Sequence, residues 1–188
     1  MEITKIIIAM KKAFLTLIAF ISVALGASAI NLKEAYAALS NIPNVSVTKP
    51  DYNLPMDLPI MQDGGLVVNE GNLAAGYNLN AAQIKETGDA AYTILNQVPL
   101  VRMINGANNN LATGFVYAEP TGENTNDVLI VVMSGYRGSA VFMYAQDVPD
   151  TVCTALQMAP VEMEGRSISL KAKLPGDDEF NIILNKGR

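Results

Sequence analysis

The chain has no histidine, no tryptophan and a single cysteine in 188 residues. The missing histidine closes off Ser-His-Asp and Cys-His catalysis, histidine general bases and the usual zinc sites. Without tryptophan, stacking on a sugar would fall to tyrosine and phenylalanine. The lone Cys153 cannot close an intramolecular disulfide. It lies in the apolar run TVCTAL (151–156) and reads as a buried thiol in preference to an intermolecular disulfide. Basic residues are also scarce, with 13 Lys and Arg against 18 Asp and Glu. An acidic chain is a poor ligand for nucleic acid or anionic lipid, since both require a basic footprint.

What is present begins with an export signal. Lys11 and Lys12 precede an apolar run from Ala13 to Leu25, interrupted only by Thr16 and Ser22. Gly26-Ala27-Ser28-Ala29 follows, with Ala27 and Ala29 at the −3 and −1 positions of a cut after Ala29. Charge, apolar core and small-residue site occur in the order of a secretory signal peptide. The run is shorter than the roughly 20 residues a membrane span needs. Met10 is the expected start, with residues 1–9 an upstream start choice. No cysteine ends the apolar run, so no lipid anchor is expected, and Asn185-Lys186-Gly187-Arg188 carries no hydrophobic anchor. The expected product is exported, periplasmic or secreted, and free of the membrane once the signal is removed.

Residues 30–188 then form one expected domain, long enough to bury a core unaided. Removing the signal takes away three lysines and one glutamate, leaving 10 basic against 17 acidic residues. The fold class expected is α+β with a mainly antiparallel sheet. Asn31 caps a helix to Leu39, with Glu34 as its capping-box partner and Leu32, Ala35, Tyr36 and Leu39 on one apolar face. Val45–Thr48 reads as a short strand. Residues 50–65 hold three prolines and two glycines and read as an irregular crossing, with a brief strand at 66–68. Asn80 caps a second helix that Gly88 is expected to break or weaken, with Asp89 able to recap a second piece.

A meander is expected over 100–145. Its strands are Leu100–Ile104, Leu111–Ala118, Val128–Met133 and Ser139–Ala145, with Asn105-Gly106 as the first turn. Val128–Met133 (VLIVVM) has no polar alternation, so it should be central and covered on both faces. Asp150 caps a helix over Thr151–Met158. A strand at Val161–Met163 and a C-terminal hairpin over 167–185 follow, with Ser167–Leu174 alternating between a wet and a dry face.

No motif reaches catalytic specificity. Ser46-Val47-Thr48-Lys49 matches S-x-x-K, but Pro50 biases Lys49 to an extended conformation where that chemistry needs a helix turn. Ser134-Gly135 follows a strand without the G-x-S-x-G pattern and reads as a hairpin turn. Glu162, Glu164, Asp177 and Asp178 are the best carboxylate cluster, and Glu123–Asp127 is a second oxygen-rich loop. Neither has calcium-loop spacing, and both read as solvated turns or a wet strand face. The seven methionines after the signal lack M-x-x-M or M-x-M runs and read as core filler. No cofactor or metal is expected. Tyr117, Tyr136 and Tyr144, with Tyr77, Phe142 and Arg137 in the 135–138 turn, are candidates for an aromatic binding patch near the hairpin tips.

The MKK-type start, the signal and the stretch LKEAYAALSNIPNVSV (Leu32–Val47) resemble small exported Bacteroidetes proteins of unknown function. That resemblance implies export and an α+β fold and carries over no site residue. The expected function is non-enzymatic: a binding or structural domain of the bacterial envelope or exterior, with a protein or small ligand as partner. Strand addition at a sheet edge such as Phe180–Leu184 is one route to a partner. A small carboxylate-dependent hydrolase and a subunit of a surface assembly are the alternatives.

Overall fold

The computed structural model describes residues 29–48, 71–108, 112–136, 138–159, 161–164, 167–173 and 179–184, the last three stretches through their backbone pairing. The fold is α+β. Helix α1 spans Leu32–Leu39, α2 Ala81–Leu95 and α3 Asp150–Met158. Strands β1 (Ser46–Thr48), β2 (Leu73–Gly76), β3 (Met103–Asn108), β4 (Ala112–Pro120), β5 (Thr125–Ser134) and β6 (Ser139–Pro149) form one antiparallel sheet. Its order is β1-β2-β6-β5-β4-β3. Strands β7 (Val161–Glu164), β8 (Ser167–Lys173) and β9 (Glu179–Leu184) form a second, in that order, and β9 is an edge of it. Strand β8 lies against α3 and β4.

The period of two along β5 explains why its sequence is apolar throughout. Leu129 and Val131 point to the side carrying Leu32, Ala35, Tyr36 and Leu39 of α1 and Ala91, Ile94 and Leu95 of α2. Val128, Ile130 and Val132 point to the opposite side, where α3 contributes Val152, Cys153 and Leu156. The neighbouring strand divides in the same way, with Phe142 and Tyr144 under α1 and α2, and Val141, Met143 and Ala145 under α3. A strand buried on both faces gains from apolar residues at every position.

Both early helices begin where side-chain chemistry directs. The Asn31 side chain accepts from the Glu34 amide, and Glu34 accepts from the Asn31 amide. Asn80 and Gln83 repeat the arrangement at α2. Each cap satisfies donors that the first turn leaves open.

Several elements differ from the expectation. Gly88 does not break α2, which runs unbroken from 81 to 95. A mid-helix glycine costs about 1 kcal/mol relative to alanine, and packing of Ala91, Ile94 and Leu95 exceeds that. A Cβ at Gly88 would meet nothing within 4 Å. Gly88→Ala is therefore expected to stabilise the protein by about 0.5–1 kcal/mol in urea unfolding; a loss of stability would contradict this.

Asn105-Gly106 is no hairpin turn. It lies within β3, opposite Val116 and Phe115, just after a register shift. The Asn105 amide donates to the carbonyls of Leu156 (2.7 Å) and Ala159 (3.0 Å), groups the end of α3 leaves open. Gly106 lies under the Phe115 ring, where a Cβ would approach to 2.7 Å. Leu100–Arg102 is a 3-10 turn and not strand. Asp150 is the first residue of α3, with Pro149 at the cap position; its carboxylate accepts instead from the Asn126 side chain at 2.6 Å. Strand β2, Leu-Ala-Ala-Gly, is fully buried between β1 and β6 and carries none of the β-branched or aromatic residues that signal a strand. The irregular crossing over 50–65 and the strand at 66–68 lie outside the described residues.

Candidate functional site

The segment that leaves α2 puts opposite chemistry on the two sides of one short turn. Pro99 has φ −55°, a value its ring favours, and its carbonyl accepts from the Arg102 amide at 2.9 Å. Three residues per turn then send Leu100 and Val101 outward while Arg102 turns back to the protein. Leu100 is 76% and Val101 89% exposed.

Arg102 occupies the centre of a polar clamp on the chain just before α1. Its Nη1 donates to the Ile30 carbonyl at 2.9 Å, and its Nη2 lies 2.7 Å from Glu119 Oε1 on β4. The other Glu119 oxygen accepts from the Leu32 amide at 2.8 Å. The Ile30 amide donates to the Gln97 carbonyl at 3.1 Å. The guanidinium fork and the two carboxylate oxygens thereby close a ring of charge-assisted bonds around residues 30–32. Arg102 and Glu119 side chains are 24% and 17% exposed, so the pair is partly shielded from water.

On the outer side lies an apolar ledge. Met103 is exposed and pairs with Tyr117 across β3 and β4. Exposed Tyr92 of α2 is near the same Tyr117, whose phenol is pushed up from its ordinary range by burial first and by Tyr92 second. Tyr92 and Met103 thus both lie near Tyr117, and exposed Leu100 and Val101 sit in the turn that leads into β3, the last strand of the six-stranded sheet. Single exposed apolar residues are normal, but Leu100, Val101 and Met103 are exposed within four consecutive positions at a sheet edge.

The proposed aromatic patch is not brought together. Tyr144 and Phe142 are buried under α1 and α2, and Tyr117 is buried beside them. Tyr144 stacks on Tyr36 with ring centroids 5.7 Å apart, and its hydroxyl donates to the Asp127 carboxylate. Burial first, then that bond, pushes the Tyr144 phenol far up. Tyr36 donates to the Gly71 carbonyl at 2.7 Å, and burial pushes its phenol up to about 12. These are load-sharing groups of the core. Tyr77 packs partly buried on the α3 side. Among the described members of the set Tyr136 alone is exposed, at the β5–β6 turn. Arg137 lies outside the described residues.

The carboxylates fare similarly. Glu162 pairs with Ser169 and Glu164 with Ser167 in the β7–β8 ladder. Asp177 and Asp178 lie outside the described residues. In the 123–127 loop, Asp127 is held by Tyr144, and Asn126 by Asp150. No group of three or more His, Cys, Asp or Glu is placed to hold a metal among the described residues. Cys153 is buried against the α3-side core, and burial first, then Asp150, pushes its thiol up to about 11. A thiol held protonated is a weak nucleophile. Ser46 and Thr48 lie on strand β1, the wrong geometry for an S-x-x-K helix turn; Lys49 lies outside the described residues.

Of the cleavage residues, Ala29 is exposed and Ala27 lies outside the described residues. No described helix is long and apolar enough to cross a membrane. Sequence reasoning missed Leu100, Val101, Arg102 and Glu119. Leu-Val-Arg-Met-Ile has the look of a strand, and only Pro99, with its fixed φ, hinted at a turn. Comparison with protein-family models, with curated proteins and with solved structures finds no match to this chain.

Proposed function

We propose that the chain is an exported domain, periplasmic or secreted, that works by binding a protein partner. The observation carrying this reading is the ledge of Tyr92, Leu100, Val101 and Met103 beside edge strand β3. The partner that fits is an extended protein segment. Its backbone would add to the outer side of β3, and its apolar side chains would cover Leu100 and Val101. A small polar ligand would leave the ledge wet. Export is supported by the Lys11-Lys12, apolar-run and Ala27-Ser28-Ala29 sequence. The ordinary catalytic sets are closed to a chain without histidine, and the described Glu119, Asp127 and Asp150 are engaged in holding the fold.

A photo-crosslinking residue at position 101, in intact cells exporting the protein, is expected to yield one discrete protein adduct. Leu100→Glu in the same chain should abolish it with little change in thermal stability, because Leu100 is already mostly exposed. The same probe at exposed Lys33 should give no adduct. No adduct at 101, or an equal one at 33, would contradict the reading.

A further inference from the structure

We infer that removal of the signal creates a structural group, the α-ammonium of Ile30, which seats at the C-terminal end of α2. The inference rests on the reading of the chain as an exported protein cut after Ala29. Hydrolysis of the Ala29–Ile30 peptide by a signal peptidase consumes one water. The hydroxyl goes to the Ala29 carbonyl carbon and a proton to the Ile30 nitrogen. At neutral pH that nitrogen takes a second proton and becomes a cation.

The place for that cation is already built. The Ile30 nitrogen donates to the carbonyl of Gln97, two residues past the end of α2. A helix C-terminus carries partial negative charge on its last carbonyls and favours a cation. Helix α2 is 15 residues long and has no basic residue in its last turn. The mature N-terminus supplies the missing charge.

Everything on the C-terminal side of the cut is fixed. The Ile30 side chain packs on the core under α1 and α2, its carbonyl is held by Arg102, and the Leu32 amide is held by Glu119. Ala29, on the other side, is exposed. The charged neighbours do not oppose the cation. Arg102 is balanced by Glu119, the Glu34 carboxylate accepts from the Asn31 amide, and Lys33 is exposed on α1. A cut one residue later would delete the packed side chain and two of the bonds. A cut two residues earlier would leave an uncharged amide at the helix end and move the charge away.

Thermal unfolding of two proteins tests this, one beginning at Ile30 with a free amine and one at Ser28. At about pH 6 the Ile30 form is expected to melt roughly 1–3 °C higher. The ammonium is favoured by the fold, so its pKa is raised on folding and its contribution holds below the ordinary value. It is lost as pH rises, and the gap should close by about pH 10. Equal melting temperatures at the lower pH, or a gap that persists at the higher one, would overturn the inference. The intact mass of the exported protein separates the two ideas. A start other than Ile30 counts against the export reading and leaves the melting comparison intact.

Discussion

Gly138→Ala is expected to destabilise the protein by about 3–5 kcal/mol and lower its melting temperature by roughly 10 °C. Gly138 has φ +58°, in the left-handed region that side chains rarely adopt. A Cβ there would lie 1.9 Å from the Leu79 carbonyl oxygen and 2.9 Å from the Leu79 nitrogen. Both are backbone atoms, so no rotamer change relieves the clash. The contact also matters in itself, because the Leu79 amide donates to the Gly138 carbonyl at 2.8 Å. That bond ties the β5–β6 turn to the start of α2, one residue before its Asn80 cap. Relief requires the turn and the cap to separate. Unfolding in urea measures the effect, and a variant within about 1 kcal/mol of the parent would show that the turn is free to move.

Glu119→Ala should cost about 2–4 kcal/mol, the larger part because of what it leaves behind. The Arg102 guanidinium would keep its partly shielded position with no counter-charge, and the Leu32 amide would lose its acceptor. Glu119→Gln keeps an acceptor for Leu32 and should cost roughly half as much. Lys85–Asp89 on α2 gives the contrast. Those side chains are 75% and 68% exposed, and Asp89→Ala is expected to change stability by less than about 0.5 kcal/mol. Equal effects at Glu119 and Asp89 would mean that the clamp on residues 30–32 bears no load.

These two sites also show why some features could be read from the sequence and others could not. The starts of α1 and α2 are legible because Asn31 with Glu34, and Asn80 with Gln83, act over three residues. The central place of β5 is legible because Val128–Met133 carries its two-sided burial in its own composition. The clamp is not legible. Arg102 reaches a carbonyl 72 residues away, and the Leu32 amide reaches a carboxylate 87 residues away. Only the folded sheet brings these groups together. Strand β2 is hidden for a related reason. It is placed by pairing with β1 and with β6, about 65 residues on, and a Cβ at Gly76 would meet the Asn44 carbonyl at 2.4 Å. The aromatic patch failed because tyrosine serves the core as readily as the surface when its hydroxyl finds a partner, as Tyr144 does in Asp127.

Arg102 of the clamp and the exposed Leu100 and Val101 belong to one turn after Pro99. The proposed function and the proposed mature N-terminus both rest on the reading of the chain as an exported protein cut after Ala29. The most direct test of the account is therefore the intact mass and N-terminal sequence of the protein recovered from outside the inner membrane of cells that produce it. The expected product begins Ile30-Asn31-Leu32, with no lipid attached. A product that retains residues 1–29, or that stays inside the cell, would contradict it.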